Sequence, residues 1–419
     1  MAEYLERIAD KVLAAALSSS GAVLIEGAKW CGKTWTAARQ ARSSLLMQHP
    51  DEAANNLTLA KMKPSLLLEG DTPRLIDEWQ LAPVLWDAVR YMVDQRGTVG
   101  QFILTGSAVP ADNVTAHSGT GRIVRRKMRP MTLFESLESS GVVSLSALFA
   151  QAEPSGKSNL SVEQLAFALC RGGWPAAVVQ GDTAALSQAF DYVDAVTNFD
   201  VSRVDEIEKN PARVRALLRS LARNTATQAS ITTLRADIGS NETDISEKTI
   251  ASYLNALTRI HVVEDLPAWS PKLRSRTAIR SAATRHFVDP SIATAALRAA
   301  PERLLQDFNT FGLLFESLCI RDLRVYANAI DGDVFHYRDK SGLETDAIVQ
   351  LRDGSWAAVE VKMGAADIDN AAANLNSLAR KVDTEAMNQP AFLMVLTATQ
   401  YAYRRDDGVL VVPIGCLRD

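Results

Sequence analysis

The stretch Gly27-Ala28-Lys29-Trp30-Cys31-Gly32-Lys33-Thr34 matches the pattern G-x-x-x-x-G-K-[ST] and decides the fold of the N-terminal part of this chain. It follows the apolar run Ala22-Val23-Leu24-Ile25, which is typical of a short buried parallel strand. It precedes Trp35-Thr36-Ala37-Ala38-Arg39-Gln40, which continues as a helix-like segment. A strand, a glycine-containing loop and a helix in this order direct backbone N–H groups at a phosphate. The sequence therefore predicts a nucleoside triphosphate site.

The polar positions of this loop have separate predicted roles. Gly27 and Gly32 let the backbone turn its N–H groups inward. Lys33 reaches the β- and γ-phosphates, and the Thr34 hydroxyl holds Mg²⁺. The predicted nucleotide-binding set is the loop, the residue after it and one acid further along the chain: Gly27, Ala28, Lys29, Trp30, Cys31, Gly32, Lys33, Thr34, Trp35 and Asp77.

A second apolar run ends in two acids, Asp77 and Glu78, which is the form of a Walker B element. We expect Asp77 to organise Mg²⁺ together with Thr34, and Glu78 to polarise the attacking water. A third apolar run, Gln101-Phe102-Ile103-Leu104, ends in small polar residues, and the Ser107 hydroxyl there can sense the γ-phosphate or position the water. The predicted catalytic residues are therefore Lys33, Glu78 and Ser107, and the predicted metal ligands are Thr34 and Asp77.

Composition limits the classes of protein to consider. At 419 residues the chain is too long for one hydrophobic core, and its 47% hydrophobic and 22% charged residues are ordinary for a soluble globular protein. The net charge of −4 argues against a protein that coats nucleic acid with its whole surface, but it is compatible with a local basic face.

No run is long enough for a membrane span, and Met1 to Leu17 has the pattern of an amphipathic helix, so we expect no membrane partner. The cysteines have no metal-ligand or paired spacing, which favours a reducing, cytoplasmic setting: they are Cys31, Cys170, Cys319 and Cys416.

The order of loop, acids and polar strand end resembles the AAA+ class of ATPases. The Asn-Lys-x-Asp base-reading motif of small GTPases is missing from the sequence, so ATP is the predicted nucleotide and ADP its product. In AAA+ proteins an arginine that follows this strand reaches the γ-phosphate of a neighbouring subunit. The resemblance therefore implies a homo-oligomer in which Arg122 acts in trans as a catalytic arginine finger. The alternative is that the basic residues around Arg122 form a solvated strand face.

The middle of the chain has the pattern of short helices. We expect residues 1–145 to form the ATPase core and residues 146–208 to form a linker and a helical lid over the nucleotide. Residues 209–288 then predict a winged helix, because three helices are followed by two extended segments. Between Leu266 and Val288 there are five basic residues and no acid, which is compatible with a phosphate-contacting wing: Lys272, Arg274, Arg276, Arg280 and Arg285. A winged helix used for protein packing is the alternative, because the presumed recognition helix is poor in Arg and Lys.

Residues 289–419 carry a second set of polar residues. Glu316 lies on an apolar helix, and Asp346 begins a strand that is followed by the turn Asp353-Gly354. On the returning strand, Glu360 and Lys362 share one face. Asp346 and Glu360 are candidates to hold Mg²⁺, and Lys362 to orient the water that attacks a phosphodiester. The alternative is a surface ion pair on a structural sheet.

Over nearly its whole length the chain is similar to a large family of uncharacterised prokaryotic AAA+ ATPases that have an N-terminal P-loop core, a winged helix and a C-terminal restriction-endonuclease-like domain. The resemblance implies an α/β fold with a parallel AAA+ sheet, a helical lid, a winged helix and a PD-(D/E)xK endonuclease-like α/β domain. This sequence departs from the family at Ala28-Lys29-Trp30, where Pro-Arg-Gln is frequent, and at Trp79, where a small aliphatic residue is usual. The segments that carry the resemblance are Tyr4-Leu5-Glu6-Arg7, Gly27 to Thr34, Leu75 to Gln80, Leu104 to Ser107, Gly121-Arg122, Gly172 to Pro175, Glu316, Glu344 to Asp346 and Glu360 to Lys362.

Two functions are compatible with these patterns. The first is an ATP hydrolase that couples nucleotide state to a nuclease-like domain acting on DNA. The second is an ATP-dependent switch or scaffold whose nuclease-like domain binds protein or DNA without cleaving it. Whether Asp346, Glu360 and Lys362 converge on a metal ion separates the two.

Overall fold

The fold begins with a parallel sheet that presents the ends of its strands to one edge. In this computed structural model the described residues are 4–107, 118–180, 183–204, 209–239, 245–271, 282–382 and 387–419. All five strands of the first sheet run parallel in the order β2-β3-β4-β1-β5. They are β1 (Ala22–Glu26), β2 (Ser43–Leu46), β3 (Arg74–Asp77), β4 (Phe102–Gly106) and β5 (Ile123–Lys127). Since β4 lies between β1 and β3, the polar residues after β4 lie between the glycine-containing loop and the two acids.

Helices cover both faces of this sheet, as expected for a parallel sheet that is buried on both sides. They are α1 (Ile8–Ser19), α2 (Lys33–Gln40), α3 (Ala53–Met62) and α4 (Val84–Arg96). Trp79, the unexpected residue after the two acids, is 2% exposed, and its ring lies 4.9 Å from that of Trp86 on α4. This tryptophan therefore fills the core between the sheet and α4.

The segment after β5 crosses to the C-terminal part of the chain. It contains β6 (Val143–Ser144), α5 (Leu145–Phe149) and β7 (Gly156–Lys157). Strand β6 pairs with β16 (Leu417–Arg418), and β7 pairs with β14 (Tyr401–Arg404). We expected a linker here, but the segment supplies an edge strand to the C-terminal sheet, because its backbone N–H and C=O groups find partners there.

A helical region follows and packs as one core. The helices are α6 (Val162–Arg171), α7 (Pro175–Gln180), α8 (Ser187–Ala195), α9 (Val201–Arg203), α10 (Pro211–Arg223), α11 (Ile231–Gly239), α12 (Glu247–Arg259), α13 (Ser291–Leu297) and α14 (Pro301–Gln306). Helix α13 packs against both α8 and α10. The boundary expected at 288/289 therefore falls between elements that share a core.

The region from α10 to residue 288 has the order of elements expected for a winged helix. Helices α10, α11 and α12 precede an antiparallel pair, β8 (Val263–Leu266) and β9 (Thr284–Phe287). Thr227 adds a bridge to Arg285 of β9. The basic residues Lys272, Arg274, Arg276 and Arg280 lie outside the described residues. The fifth, Arg285, pairs with Asp265 at 3.6 Å.

The C-terminal sheet has seven strands in the order β10-β11-β12-β13-β15-β14-β7. The remaining elements are α15 (Phe308–Ala329), β10 (Gly332–Arg338), β11 (Glu344–Leu351), β12 (Trp356–Lys362), α16 (Ile368–Lys381), β13 (Leu393–Thr397) and β15 (Leu410–Pro413). Both α15 and α16 contact β12. For this reason Val359, Glu360 and Val361 are all buried, whereas strand alternation predicted one polar and one apolar face.

None of the helices in the described ranges is long and apolar enough to cross a membrane.

Candidate functional site

The glycine-containing loop connects β1 to α2 and approaches neighbouring backbone closely. A Cβ atom at Gly27 would lie 2.1 Å from the carbonyl oxygen of Met128, so a side chain is excluded there. Gly32 precedes α2 with φ of 101°, a left-handed conformation that favours glycine. The side chain of Cys31, within the loop, is buried. The loop therefore has the close packing and backbone conformation expected of a phosphate cradle.

Lys33 and Thr34 begin α2, where helix N–H groups point toward the loop. The Lys33 ammonium donates to the carbonyl oxygens of Gly27 and Ala28 at 3.0 and 2.8 Å. The Thr34 hydroxyl donates to Oδ1 of Asp77 at 2.8 Å. Lys33 is thus held across the loop, and a hydroxyl and a carboxylate meet at the first turn of the helix.

Asp77 accepts a second hydrogen bond from the hydroxyl of Thr105 on β4, at 2.5 Å. This partner was not predicted, although Thr105 lies in the polar strand end that the sequence singled out. Thr34 and Asp77 supply oxygen atoms of the kind that Mg²⁺ prefers, and a partly exposed pair leaves room for water ligands. The residues present therefore fit a magnesium ion bound together with a nucleotide.

Glu78 has a left-handed backbone conformation, with φ of 55°, immediately after β3. Its Oε2 accepts hydrogen bonds from the Ser107 hydroxyl at 3.2 Å and from the amide of Gln80. Ser107 is 5% exposed at the end of β4. The structure thus brings the predicted base and the predicted sensor together and adds Gln80, a role that the sequence did not indicate.

One cleft of about 960 Å³ contains this group of side chains. Lys33, Thr34, Glu78 and Ser107 line it from the sheet side. Pro175, Asp200 and Arg203 line it from the helical region. Arg203 is therefore a cation that the chain itself places at the cleft, and no local sequence signal identified it.

A second cavity of about 300 Å³ adjoins the loop at Gly32. Its lining is mostly apolar and combines the N-terminal segment, the start of α2 and the helical region: Tyr4, Leu5, Trp35, Met131, Pro175 and Val179. Trp35 is 57% exposed. An apolar cavity next to a phosphate cradle has the dimensions and lining for a flat heteroaromatic ring.

Two of the three loop residues that depart from the family pattern, Lys29 and Trp30, contact the helical region. Lys29 pairs with Asp200 at 2.5 Å, and the ring of Trp30 lies 5.6 Å from that of Tyr192. Tyr192 in turn stacks on Trp174 at 4.4 Å. These contacts connect the loop directly to the helices that cover the cleft.

Arg7 supports the loop from the N-terminal segment. Its guanidinium donates to the carbonyl oxygen of Cys31 at 2.8 Å, to that of Arg129 at 2.8 Å and to Oε1 of Glu135 at 3.0 Å. Both side chains of the Arg7–Glu135 pair are almost fully buried. Tyr4-Leu5-Glu6-Arg7 contributed to the resemblance, but its role could not be found from sequence because two of the partners of Arg7, Arg129 and Glu135, lie more than a hundred positions further along the chain.

Arg122 lies away from the site of its own chain. It precedes β5, which pairs in parallel with β1 and begins opposite Ala22, so it lies at the sheet edge opposite the loop. Its side chain is exposed and pairs with Asp94 at 2.7 Å. Arg122 is therefore not among the residues that line the cleft of its own chain.

Three of the four C-terminal candidates, Asp346, Glu360 and Lys362, converge. Lys362 lies 3.0 Å from Oε2 of Glu360 and 3.6 Å from Oδ2 of Asp346. Oδ2 of Asp346 also accepts from the backbone N–H of Val361 at 2.7 Å, and Oε1 of Glu360 accepts from the side-chain amide of Asn374 at 2.6 Å. The hairpin at Asp353-Gly354 that positions the two strands has Gly354 at φ of 90°. Asn374 of α16 is a member of this cluster that the sequence analysis missed.

Burial and mutual repulsion shift the protonation of these acids. Burial and the charge of Asp346 raise the pKa of Glu316 well above its ordinary value. Burial and Asp346 also raise the pKa of Glu360 to about 7, although Lys362 and Asn374 act in the opposite direction. Burial lowers the pKa of the Lys362 ammonium group, but the negative charges of Asp346 and Glu360 raise this pKa by more, so the net shift is upward. The cluster therefore combines two carboxyl groups of raised pKa with a lysine whose charge is stabilised.

Over the described part of the chain, no group of three or more His, Cys, Asp and Glu side chains is arranged to hold a metal ion. Magnesium sites need fewer protein ligands, because one or two carboxylates commonly act with water and substrate phosphates. Asp346 and Glu360 supply two such carboxylates, and the Lys362 ammonium group lies near both.

Comparison with known proteins identifies one domain type in the chain. Residues 19–137 match the model of an AAA domain. Residues 162–303 match a domain of unknown function (DUF8612), and residues 311–417 match another domain of unknown function (DUF4143). The first match shows that the N-terminal part is an ATPase-like AAA domain with a P-loop. The second match spans the expected boundaries at 208/209 and 288/289, and neither of the other two assigns a function.

A solved structure is also similar to this chain, the Walker-type ATPase PabY2304 of Pyrococcus abyssi. The sequence identity is 15% and the TM-score 0.41, and the match covers 70% of this chain and 96% of that chain. No curated protein sequence matches the chain.

Proposed function

We propose that this chain binds and hydrolyses ATP at the cleft between its parallel sheet and its helical region, with Mg²⁺ as cofactor. The observation that carries the proposal is that Lys33, Thr34 and Glu78 line the same cleft, with Asp77 hydrogen-bonded to Thr34. The match of residues 19–137 to an AAA domain supports it independently.

The two adjoining cavities suggest how ATP lies. The triphosphate occupies the loop, where Lys33 exchanges its contacts with the carbonyls of Gly27 and Ala28 for contacts with phosphate oxygens. The adenine ring enters the apolar cavity beside Trp35. Thr34 and Asp77 would hold Mg²⁺, which would neutralise phosphate charge when bound.

The chemical step needs a base and a cation besides Lys33. Glu78 accepts a proton from the attacking water, and Ser107 holds the carboxylate in place. Arg203 supplies positive charge from the same chain. Arg122 supplies further charge from a neighbouring subunit of a homo-oligomer, because its position at the opposite sheet edge excludes action within its own chain.

The test is ATP binding and steady-state hydrolysis by the wild type and by Lys33→Ala. We expect the variant to lose tight ATP binding, because it removes the flexible cation aimed at the β- and γ-phosphates. Lys61→Ala, which removes an exposed lysine from α3, is the matched control and should behave as wild type. Wild-type ATP affinity in folded Lys33→Ala would refute the assignment of this loop.

We propose a second, nuclease-like function for the C-terminal cluster, acting on DNA. Its support is the convergence of Asp346, Glu360 and Lys362, with Glu316 close enough to shift in pKa with them. Asp346 and Glu360 would hold a divalent cation, and Lys362 would orient the water that attacks the phosphodiester. Asp322 of α15 accepts from the backbone N–H of Leu133 at 3.0 Å, so the helix that carries Glu316 also contacts the segment after the ATPase sheet. That contact gives a physical route for coupling nucleotide state to the cluster.

Cleavage of DNA and RNA with ATP, Mg²⁺ and Mn²⁺ varied tests this function. Glu360→Ala and Lys362→Ala should abolish cleavage. Lys381→Ala is the control, because it breaks a Lys–Asp pair of 2.7 Å with Asp339 in the same domain but outside the cluster. Cleavage that survives both cluster substitutions would refute the site. Binding of DNA or protein without any cleavage would favour the switch or scaffold function.

A further inference from the structure

Gln80 lies in the cleft and has contacts that the proposed ATPase mechanism does not use. It lies on a short 3₁₀ helix, Trp79–Leu81, directly after the two acids. It lines the same cleft as Lys33 and Thr34. Its Nε2 donates to Oε2 of Glu78, the oxygen that also accepts from Ser107. Gln80 therefore contacts the proposed base directly.

Chemistry fixes the orientation of this amide. A carboxylate only accepts hydrogen bonds, so the NH₂ group of Gln80 must face Glu78, and its carbonyl oxygen Oε1 must face away. That Oε1 is buried and has no hydrogen-bond partner among the described residues. A buried acceptor without a partner costs about 1–3 kcal/mol, so such atoms in native proteins are usually completed by a ligand or by water.

Gly106, at the end of β4, lies against this oxygen. A Cβ atom at that position would lie 3.0 Å from Oε1 of Gln80 and 3.1 Å from Nε1 of Trp79. A side chain at position 106 would therefore press on the amide and on the Trp79 ring, each of which would have to shift by a few tenths of an ångström.

We propose that Gln80 positions both the base and the attacking water in ATP hydrolysis, an inference that rests on the proposed ATPase function. Nε2 holds the Glu78 carboxylate, and Oε1 accepts a hydrogen bond from the water. The water oxygen bonds to the γ-phosphorus and its proton passes to Glu78. The bond from the γ-phosphorus to the β–γ bridging oxygen breaks, and ADP leaves with the electron pair. Gln80 itself gains and loses no proton.

Gln80→Ala should lower kcat roughly 10- to 100-fold, which is less than the 10²–10⁴ that a general base itself contributes. The Kd for ATP should stay within about twofold, because the amide contacts the water and Glu78 and not the phosphates. Gln80→Glu is the second variant. It keeps the length of the side chain but places a carboxylate beside Glu78, and we expect it to lose at least as much kcat.

The Glu78→Gln background provides the sharper test. If Gln80 acts through Glu78 and its water, Gln80→Ala should lower the residual rate of Glu78→Gln by less than about twofold. The full 10- to 100-fold loss in that background would show independent action and overturn the inference. Unchanged kcat in folded Gln80→Ala, or a loss confined to ATP affinity, would overturn it as well. Failure of wild type to hydrolyse ATP would instead refute the ATPase function, so the two failures are distinguishable.

Discussion

Removing the guanidinium of Arg7 should destabilise the ATPase domain and loosen its phosphate-binding loop. Arg7 and Glu135 form an ion pair of 3.0 Å whose side chains are 4% and 2% exposed. Arg7→Ala leaves the Glu135 carboxylate buried without its cation, and it also leaves the carbonyl oxygens of Cys31 and Arg129 without their donor. Breaking a buried pair from one side costs about 3–5 kcal/mol, so we expect a loss of that size in the free energy of unfolding.

The same substitution should weaken ATP binding. Cys31 lies inside the loop, and its carbonyl is held by Arg7 at 2.8 Å. A loop that must be ordered on binding loses affinity, and an ordering cost of about 1.4 kcal/mol corresponds to a Kd about tenfold higher. Urea unfolding followed by tryptophan fluorescence measures the first effect, and calorimetric titration with ATP measures the second.

Two further variants make this reasoning refutable. Lys11→Ala breaks the pair with Asp419, in which Lys11 is 73% exposed, and should change stability by no more than about 0.5 kcal/mol. Arg7→Ala combined with Glu135→Gln removes the uncompensated charge and should recover part of the loss. If Arg7→Ala proved no more destabilising than Lys11→Ala, the anchoring role of this arginine would be wrong.

Three more outcomes are expected. Glu78→Gln should bind ATP but lose turnover by about 10²–10⁴, because the amide keeps the shape of the side chain and loses its charge; unchanged steady-state hydrolysis would contradict its role as base. Arg122→Ala should lower turnover with little change in ATP affinity, and mixing with a Lys33→Ala, Arg122-intact partner should restore activity; confirmed mixed oligomers without rescue would count against action in trans. Burial and Arg324 lower the pKa of His286 to about 3 in the folded protein. This imidazole therefore stays neutral at pH values between about 3 and 6.5, at which it is protonated in the unfolded chain. Full stability is therefore present above about pH 6.5, and wild type should lose about 2 kcal/mol more than His286→Gln between pH 8 and pH 5; equal losses in urea unfolding would refute this.

The sequence alone predicted the ATP site because its chemistry is local. The loop, the acids after β3 and the polar residues after β4 each adjoin the end of an apolar run. Parallel strands bring such ends to one edge of a sheet, so Thr34, Asp77 and Ser107 could be placed together without knowledge of packing. The match of residues 19–137 to an AAA domain confirms the P-loop ATPase domain, and the roles of the individual residues stay predictions.

The C-terminal cluster was also predicted from local pattern, but that prediction was incomplete because it missed Asn374. Strand alternation and the Asp353-Gly354 hairpin were enough to bring Asp346, Glu360 and Lys362 near each other. The periodicity of one strand does not show how many layers cover it. Only the packing of α15 and α16 on opposite faces of β12 buries both faces and adds Asn374 to Glu360.

Tertiary structure alone decided the contacts between distant parts of the chain. Lys29 meets Asp200 across 171 positions, and Arg7 meets Glu135 across 128. Residues 156–157, which resemble a linker in sequence, pair with β14 instead. Local patterns encode which residues form a helix or strand and which face is apolar. The choice of partner for a single charge or a short edge strand depends on the burial and geometry of the completed core, where an unpaired charge or N–H group is costly, and no local pattern carries that information.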